Sequence, residues 1–132
     1  MRTKPLILIV DDEQDFLDIM TTKLRASGFD TATASNDNDA IKLAASLRPD
    51  LILMDIFMPG SPTGTDVALT IKQNQNTKGI KIAFLTSLKA PWPGIQGNFK
   101  GVSKELGMED FLEKSDDLDV NVQKIRAILS AQ

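Results

Sequence analysis

The sequence predicts a three-layer α/β/α sandwich around a five-stranded parallel sheet, and three observations carry that expectation. Residues 6–10, 51–54 and 80–85 are short, almost wholly apolar runs without polar alternation, the pattern of strands covered on both faces. Between such runs lie stretches in which apolar residues return with helical period. The two kinds of segment alternate along the chain, five of each, which calls for right-handed crossovers and helices on both sheet faces.

The elements follow in order. Leu6-Ile7-Leu8-Ile9-Val10 reads as the first strand. Phe16, Met20 and Leu24 fall at i, i+4 and i+8 of the first helix, and Gly28 stands where a glycine commonly ends one. Thr31-Ala32-Thr33-Ala34 is a more polar strand, as expected near a sheet edge. Ala40, Leu43, Ala44 and Leu47 repeat at i, i+3, i+4 and i+7, and Pro49 stops that helix. Leu51-Ile52-Leu53-Met54 is the third strand, Val67 and Ile71 mark the third helix, and residues 80–85 form the fourth strand.

The stretch from Lys89 to Lys104 breaks the pattern. It holds Pro91, Pro93, Gly94, Gly97 and Gly101, and only Phe99, Val102 and Leu106 keep a helical spacing. It predicts a long loop and then a short helix from about Asn98. Asp110-Phe111-Leu112-Glu113 is the fifth strand, and Leu118, Val122, Ile125 and Leu129 mark the fifth helix. With no repeat, linker or low-complexity tract, residues 1–132 read as one domain without an output domain.

Composition narrows the chemistry. The 132 residues carry 15 Lys+Arg against 18 Asp+Glu, with 42% apolar and 25% charged residues, as in ordinary globular proteins. A chain of this length buries about two-thirds of its unfolded surface without covalent staples. There is no cysteine and no histidine, which removes disulfides, thiolate metal sites, Ser-His-Asp triads and a phosphohistidine on this chain. A net charge of −3 argues against direct nucleic-acid binding, which needs clustered Lys and Arg. The longest apolar run is far short of the roughly 20 residues of a membrane span, and no secretory signal is evident, so the expected compartment is the cytoplasm.

In an open parallel sheet, ligands bind outside the carboxyl ends of the strands. Strand one ends in Asp11-Asp12 followed by Glu13, strand three in Asp55, strand four in Thr86-Ser87, and strand five runs into Lys114. Two carboxylates about 5 Å apart repel by roughly 3 kcal/mol at an effective dielectric near 20. Three together either protonate or hold a cation, and with oxygen ligands alone that cation is hard, Mg²⁺ or Mn²⁺. Mg²⁺ keeps several waters and takes one or two carboxylates plus a phosphate oxygen, so the cluster asks for a phosphoryl group. Lys114 and Thr86 suit phosphoryl oxygens. Asp55, ending the central strand, is the best candidate nucleophile, with Asp11 and Asp12 left to the metal.

These residues resemble a known family. Leu8-Ile9-Val10-Asp11-Asp12-Glu13, Asp55-Ile56-Phe57-Met58-Pro59-Gly60, Thr86 and Phe111-Leu112-Glu113-Lys114 make nearly the whole chain similar to a receiver domain of bacterial two-component response regulators. The resemblance implies a flavodoxin-like sheet in the order 2-1-3-4-5. It implies that Asp55 accepts a phosphoryl group from a sensor histidine kinase or phosphotransfer protein. It assigns metal binding to Asp12, to Asp11 mostly through water, and to the backbone carbonyl of Phe57. Thr86 matches the hydroxyl that moves toward the phosphoryl group, Lys114 the lysine that pairs with it, and Phe111 the aromatic switch. The output face would comprise the fourth helix, fifth strand and fifth helix, meeting a downstream protein, and a homodimer stays open.

Three features depart from the family pattern. The turn Met58-Pro59-Gly60-Ser61-Pro62-Thr63-Gly64 is one residue longer than usual. Ser115 follows Lys114 where proline is usual, and a cis bond there would cost about 2.5–4 kcal/mol, so a trans bond is expected. The stretch between Thr86 and Phe111 is about six residues longer than is typical, and it contains Trp92, a loop anchor or a partner contact. Bulky Phe57 and Leu88 beside the site predict slow self-dephosphorylation, in a chain that modifies itself rather than acting as an enzyme. Other readings are a pseudo-receiver interaction module and, less well supported, a Mg²⁺-dependent phosphohydrolase, whose second acid would stand where Phe57 is. A flavodoxin-type flavin carrier would need hydroxyls where Asp11 and Asp12 stand. Taken alone, Asp11-Asp12 could also be a helix N-cap.

Overall fold

The computed structural model describes residues 3–57, 64–87 and 99–131. Within them the chain runs β1 (Leu6–Val10), α1 (Gln14–Ala26), β2 (Asp30–Ala34), α2 (Asp37–Leu47), β3 (Leu51–Asp55), α3 (Gly64–Gln73), β4 (Lys81–Thr86), α4 (Phe99–Glu105), β5 (Asp110–Glu113) and α5 (Leu118–Ser130). The sheet order is β2-β1-β3-β4-β5 and every pairing is parallel. That is the predicted architecture. The expected helix from about Asn98 is found as α4. Residues 58–63 and 88–98, with the long turn, Leu88 and Trp92, lie outside the described residues.

The pleat sorts side chains into two cores. Leu8, Val10, Ile52, Met54, Ile82 and Phe84 face a layer containing Ala40, Ala44, Val67 and Ile71 of α2 and α3. Their neighbours Ile7, Ile9, Leu51, Leu53, Leu85 and Leu112 face Leu17, Met20 and Leu24 of α1 and Val122 and Ile125 of α5. Strands β1, β3 and β4 are buried along almost their whole length, which is why their sequences read as unbroken apolar runs. The edge strand β2 is only partly covered and alternates Thr with Ala accordingly.

Helix ends follow local chemistry. Gly28 adopts φ 98 just past α1, and the Asn36 side chain accepts from the Asp39 N–H at the start of α2. Leu47, though in phase with Ala40 and Ala44, is 37% exposed, because the chain leaves the helix at left-handed Arg48. In α5 the buried stripe includes Asn121 and Ile128, while Leu118 and Leu129 pack at its margin. The Lys81 ammonium donates to the Ile128 and Ala131 carbonyls and closes the far end of α5. Arg126 reaches the Ser27 carbonyl at 2.9 Å, and Lys23 pairs with Asp119 at 2.5 Å, tying α1 to α5.

One glycine fixes where β3 ends. The start of α3 lies so close to it that a Cβ on Gly64 would stand 1.7 Å from the Asp55 carbonyl oxygen and 3.0 Å from the Ile56 Cα. The Gly64 N–H also donates to the Ile56 carbonyl at 3.0 Å. The obstacle is backbone, so no rotamer change relieves it. Gly64→Ala should therefore lower unfolding free energy in urea by roughly 3 kcal/mol or more, in the range of severe overpacking. An unchanged urea midpoint would show that α3 can lift away from β3 freely.

Candidate functional site

Sheet register builds the site. Val10 lies opposite Met54, Asp55 opposite Leu85, and Thr86 opposite Glu113. Asp11, Asp55 and Lys114 each continue the parity of the α1–α5 face, two residues beyond Ile9, Leu53 and Leu112. Backbone bonds lock this edge in place: the Asp11 N–H donates to Ala34, that of Ile56 to Leu85, and that of Lys114 to the Thr86 carbonyl at 2.8 Å. Thr86, wholly buried, has the parity of Phe84, and Phe111 packs against that same face.

The carboxylates converge. Asp11, Asp12 and Asp55 each offer an oxygen within 4.8 Å of the others. Asp11 is fully buried and Asp55 is 3% exposed, whereas Asp12 faces solvent. At that separation each charged pair repels by roughly 3 kcal/mol at an effective dielectric near 20. Backbone donors relieve part of it: the Glu13 N–H donates to Asp11 Oδ1 at 2.9 Å and the Phe57 N–H to Asp55 Oδ1 at 3.1 Å. An all-oxygen set of this kind fits a hard divalent cation.

The Lys114 ammonium enters the same cluster from the end of β5. It lies 2.5 Å from Asp11 Oδ2, 2.7 Å from Glu13 Oε1 and 3.4 Å from Asp55 Oδ2, with the Phe16 ring centroid 5.0 Å away. Its side chain is 9% exposed. Burial works against its charge, but hydrogen bonds to Asp11 and Glu13 and the field of Asp55 outweigh it and raise the ammonium's pKa. Lys114 thus reaches the cluster with Ser115, not proline, behind it. The β5–α5 turn is held by Asn121, whose Nδ2 donates to the Glu113 carbonyl at 3.1 Å.

Asp11 is no helix cap: the N-cap position of α1 belongs to Glu13, which makes no side-chain cap bond. Phe57 lies just past β3, 43% exposed. Lys124 of α5 lies over the Phe111 ring, 5.3 Å from its centroid. Sequence reading notes Glu13 at the end of strand one but gives it no role, and it gives Phe16 and Asn121 no part in the site. Nothing local reveals that the partner of Glu13 lies 101 residues away.

Asp55 carries the cost of this arrangement. Burial, reinforced by the Asp11 charge, pushes its carboxyl from 3.8 up to about 7, against the opposing pull of Lys114 and the Phe57 N–H. An unfolded Asp titrates near 3.9, so between about pH 4 and 7 the folded chain holds the extra proton. Stability of the cation-free protein then falls as pH rises through that window, because the native state must ionise a buried acid. Asp55→Asn removes the effect. The variant should match wild type near pH 4 and exceed it at pH 8 by about 2–4 kcal/mol in urea titrations with EDTA; parallel stability curves would refute this.

Comparison with known proteins identifies the fold and its lineage. The response regulator receiver domain family matches residues 7–126. The DNA-binding dual master transcriptional regulator RpaA of Synechocystis is 30% identical over 95% of this chain and 49% of its own length. The response regulator PleD of Caulobacter vibrioides is 32% identical over 92% of the chain and 25% of its own length. The chain thus spans half or less of these curated relatives. Among solved structures, a response regulator from Chloroflexus aurantiacus superposes with a TM-score of 0.82 at 25% identity, covering 98% of this chain and all of that one. The receiver domain of the Pseudomonas aeruginosa histidine kinase PA1611, which has magnesium coordinated in its active-site cleft, gives 0.80 at 23% identity, covering 98% of this chain and all of its own. Matched by that family over residues 7–126, this chain belongs to the response regulator receiver domain family.

Proposed function

We propose that this chain is a phosphoacceptor: Asp55 takes a phosphoryl group from the phosphohistidine of a sensor histidine kinase or phosphotransfer protein, with Mg²⁺ as the resident cation and Mn²⁺ able to replace it. The observation that carries the reading is the convergence of Asp11, Asp12 and Asp55 oxygens within 4.8 Å, beside a lysine 3.4 Å from Asp55 Oδ2. Magnesium in the cleft of the PA1611 receiver domain supports the choice of cation. Asp11, Asp12, Asp55 and the Phe57 carbonyl would hold it, where it neutralises charge on the transferring group.

One Asp55 oxygen forms the new O–P bond while the donor's P–N bond breaks, and the electron pair leaves with the partner's imidazole. This chain positions the nucleophile, fixed by the Phe57 N–H at one oxygen and approached by Lys114 at the other. Lys114 then pairs with the phosphoryl oxygens. Thr86 follows from within the buried end of β4, and Phe111, packed on the same face, changes rotamer as Thr86 moves. The α4–β5–α5 face carries that change to a downstream protein.

The chain modifies itself and turns over no separate substrate. Half-exposed Phe57, beside Asp55, hinders the hydrolytic water, so self-dephosphorylation is slow. The domain acts in the cytoplasm as one receiver unit; no described helix is long and apolar enough to cross a membrane. Its acidic balance supports the reading that it does not itself contact nucleic acid. Incubation with acetyl phosphate and Mg²⁺ should give a mass increase of one phosphoryl group at Asp55, lost in EDTA and in Asp55→Ala. Labelling that survives Asp55→Ala overturns the assignment. No labelling of wild type would favour a pseudo-receiver, and turnover of a phosphate ester would favour a phosphohydrolase.

A further inference from the structure

We propose that Glu13 is a positioning residue that holds the Lys114 ammonium short of Asp55 until a phosphoryl group draws it away, an inference that rests on Asp55 being the phosphoacceptor. Glu13 occupies the N-cap position of α1, where a side chain ordinarily accepts from the first helical N–H groups. Its carboxylate does not. The backbone there is pinned independently: the Glu13 N–H donates to Asp11 Oδ1 at 2.9 Å, and its carbonyl accepts from the Leu17 N–H at 3.1 Å. The side chain is therefore free of capping, and it reaches instead for Lys114 at 2.7 Å.

Lys114 has three acceptors here, and Asp55 is the most distant of them. Asp11 and Asp55 belong to the group of oxygens that converges as for a cation; Glu13 does not. A divalent ion on Asp11 and Asp55 would leave Glu13 as the carboxylate still committed to the lysine. A phosphoryl group on Asp55 adds charge inside the cleft, while the Glu13 side chain is 60% exposed and solvent-screened. The lysine then moves inward, and the Glu13 pair is what it gives up. Glu13 in this way opposes the phosphorylated state and sets how readily it is reached.

Fluoroberyllate, a phosphoryl mimic, titrated calorimetrically into the full chain at saturating Mg²⁺ tests this with Glu13→Gln and Glu13→Asp. Aspartate keeps the charge but shortens the side chain by one carbon, about 1.5 Å, beyond hydrogen-bonding reach of the lysine. Both variants should bind roughly two- to fivefold tighter than wild type, the scale of an exposed ion pair, and the gap should narrow in high salt. Tighter binding by Glu13→Gln alone would mean that bulk charge, not the hold on Lys114, is responsible, and would overturn the inference. So would unchanged or weaker binding by both, or a shift confined to the thermal midpoint. Failure of wild type itself to bind fluoroberyllate would instead remove the phosphoacceptor reading beneath it.

Discussion

One lysine sits among three carboxylates at the edge of a closed hydrophobic core, and the rest of the site is arranged around that imbalance. Asp11 and Asp55 are almost completely withdrawn from water, yet Lys114 brings one positive charge to both and shares it with Glu13. Removing one partner of a buried pair typically costs about 3–5 kcal/mol, because the remaining charge is left without compensation. The sheet cannot avoid the problem. Strands β1, β3 and β5 run parallel in one sheet with one side-chain parity, which brings the residues past their carboxyl ends to one small volume. The backbone N–H groups of Glu13 and Phe57 take up one oxygen of each buried acid and leave the other exposed to the shared charge.

The surrounding fold keeps that volume from relaxing. Gly64 brings α3 against the Asp55 carbonyl, so β3 cannot extend or shift without displacing a helix. Asn121 holds the first turn of α5 to the Glu113 carbonyl, next to Lys114 in sequence. Lys23 and Arg126 tie α1 to its neighbours on the α1–α5 side, from which Phe16 covers the lysine. Electrostatic discomfort is tolerable here because the hydrophobic layers on both sheet faces fix the strands regardless of the charges at their ends. Rigid walls around mismatched charges are what a group-transfer site needs, since pre-placed groups need not reorganise when the reacting charge arrives.

Much of this was legible because the fold expresses itself in short-range patterns. Strands buried on both faces leave no polar alternation, so 6–10, 51–54 and 80–85 stand out, and each is followed directly by a site residue, Asp11, Asp55 or Thr86. The parallel order cannot be read from such runs; it came with the family resemblance. What escaped was long-range. Glu13 and Lys114 are 101 residues apart, and no local signal pairs them. Asn121 sits in the apolar stripe of α5 where the period suggests a hydrophobe, and only the neighbouring Glu113 carbonyl explains it. Leu47 fits the helical period but sits where the chain turns at Arg48, so phase alone overstates its burial.

The raised pKa of Asp55 and the raised pKa of Lys114 are two expressions of the same shortage of positive charge. The acid holds a proton because burial and Asp11 outweigh the lysine; the lysine holds its proton because Asp11, Glu13 and Asp55 together outweigh burial. A proton on Asp55 would blunt its nucleophilicity, so on the proposed reading the site attacks phosphorus only when further positive charge has displaced that proton. A divalent cation held by Asp11, Asp12 and Asp55 would supply it, and on that reading reactivity and cation dependence become one property. Transfer of the phosphoryl group reverses the balance. A buried carboxylate becomes a more highly charged ester, and every donor at the rim is drawn toward it. Those donors, Thr86 and Lys114, stand at the carboxyl ends of β4 and β5. On the proposed reading, the force that makes Asp55 reactive is also the force that would move the output face.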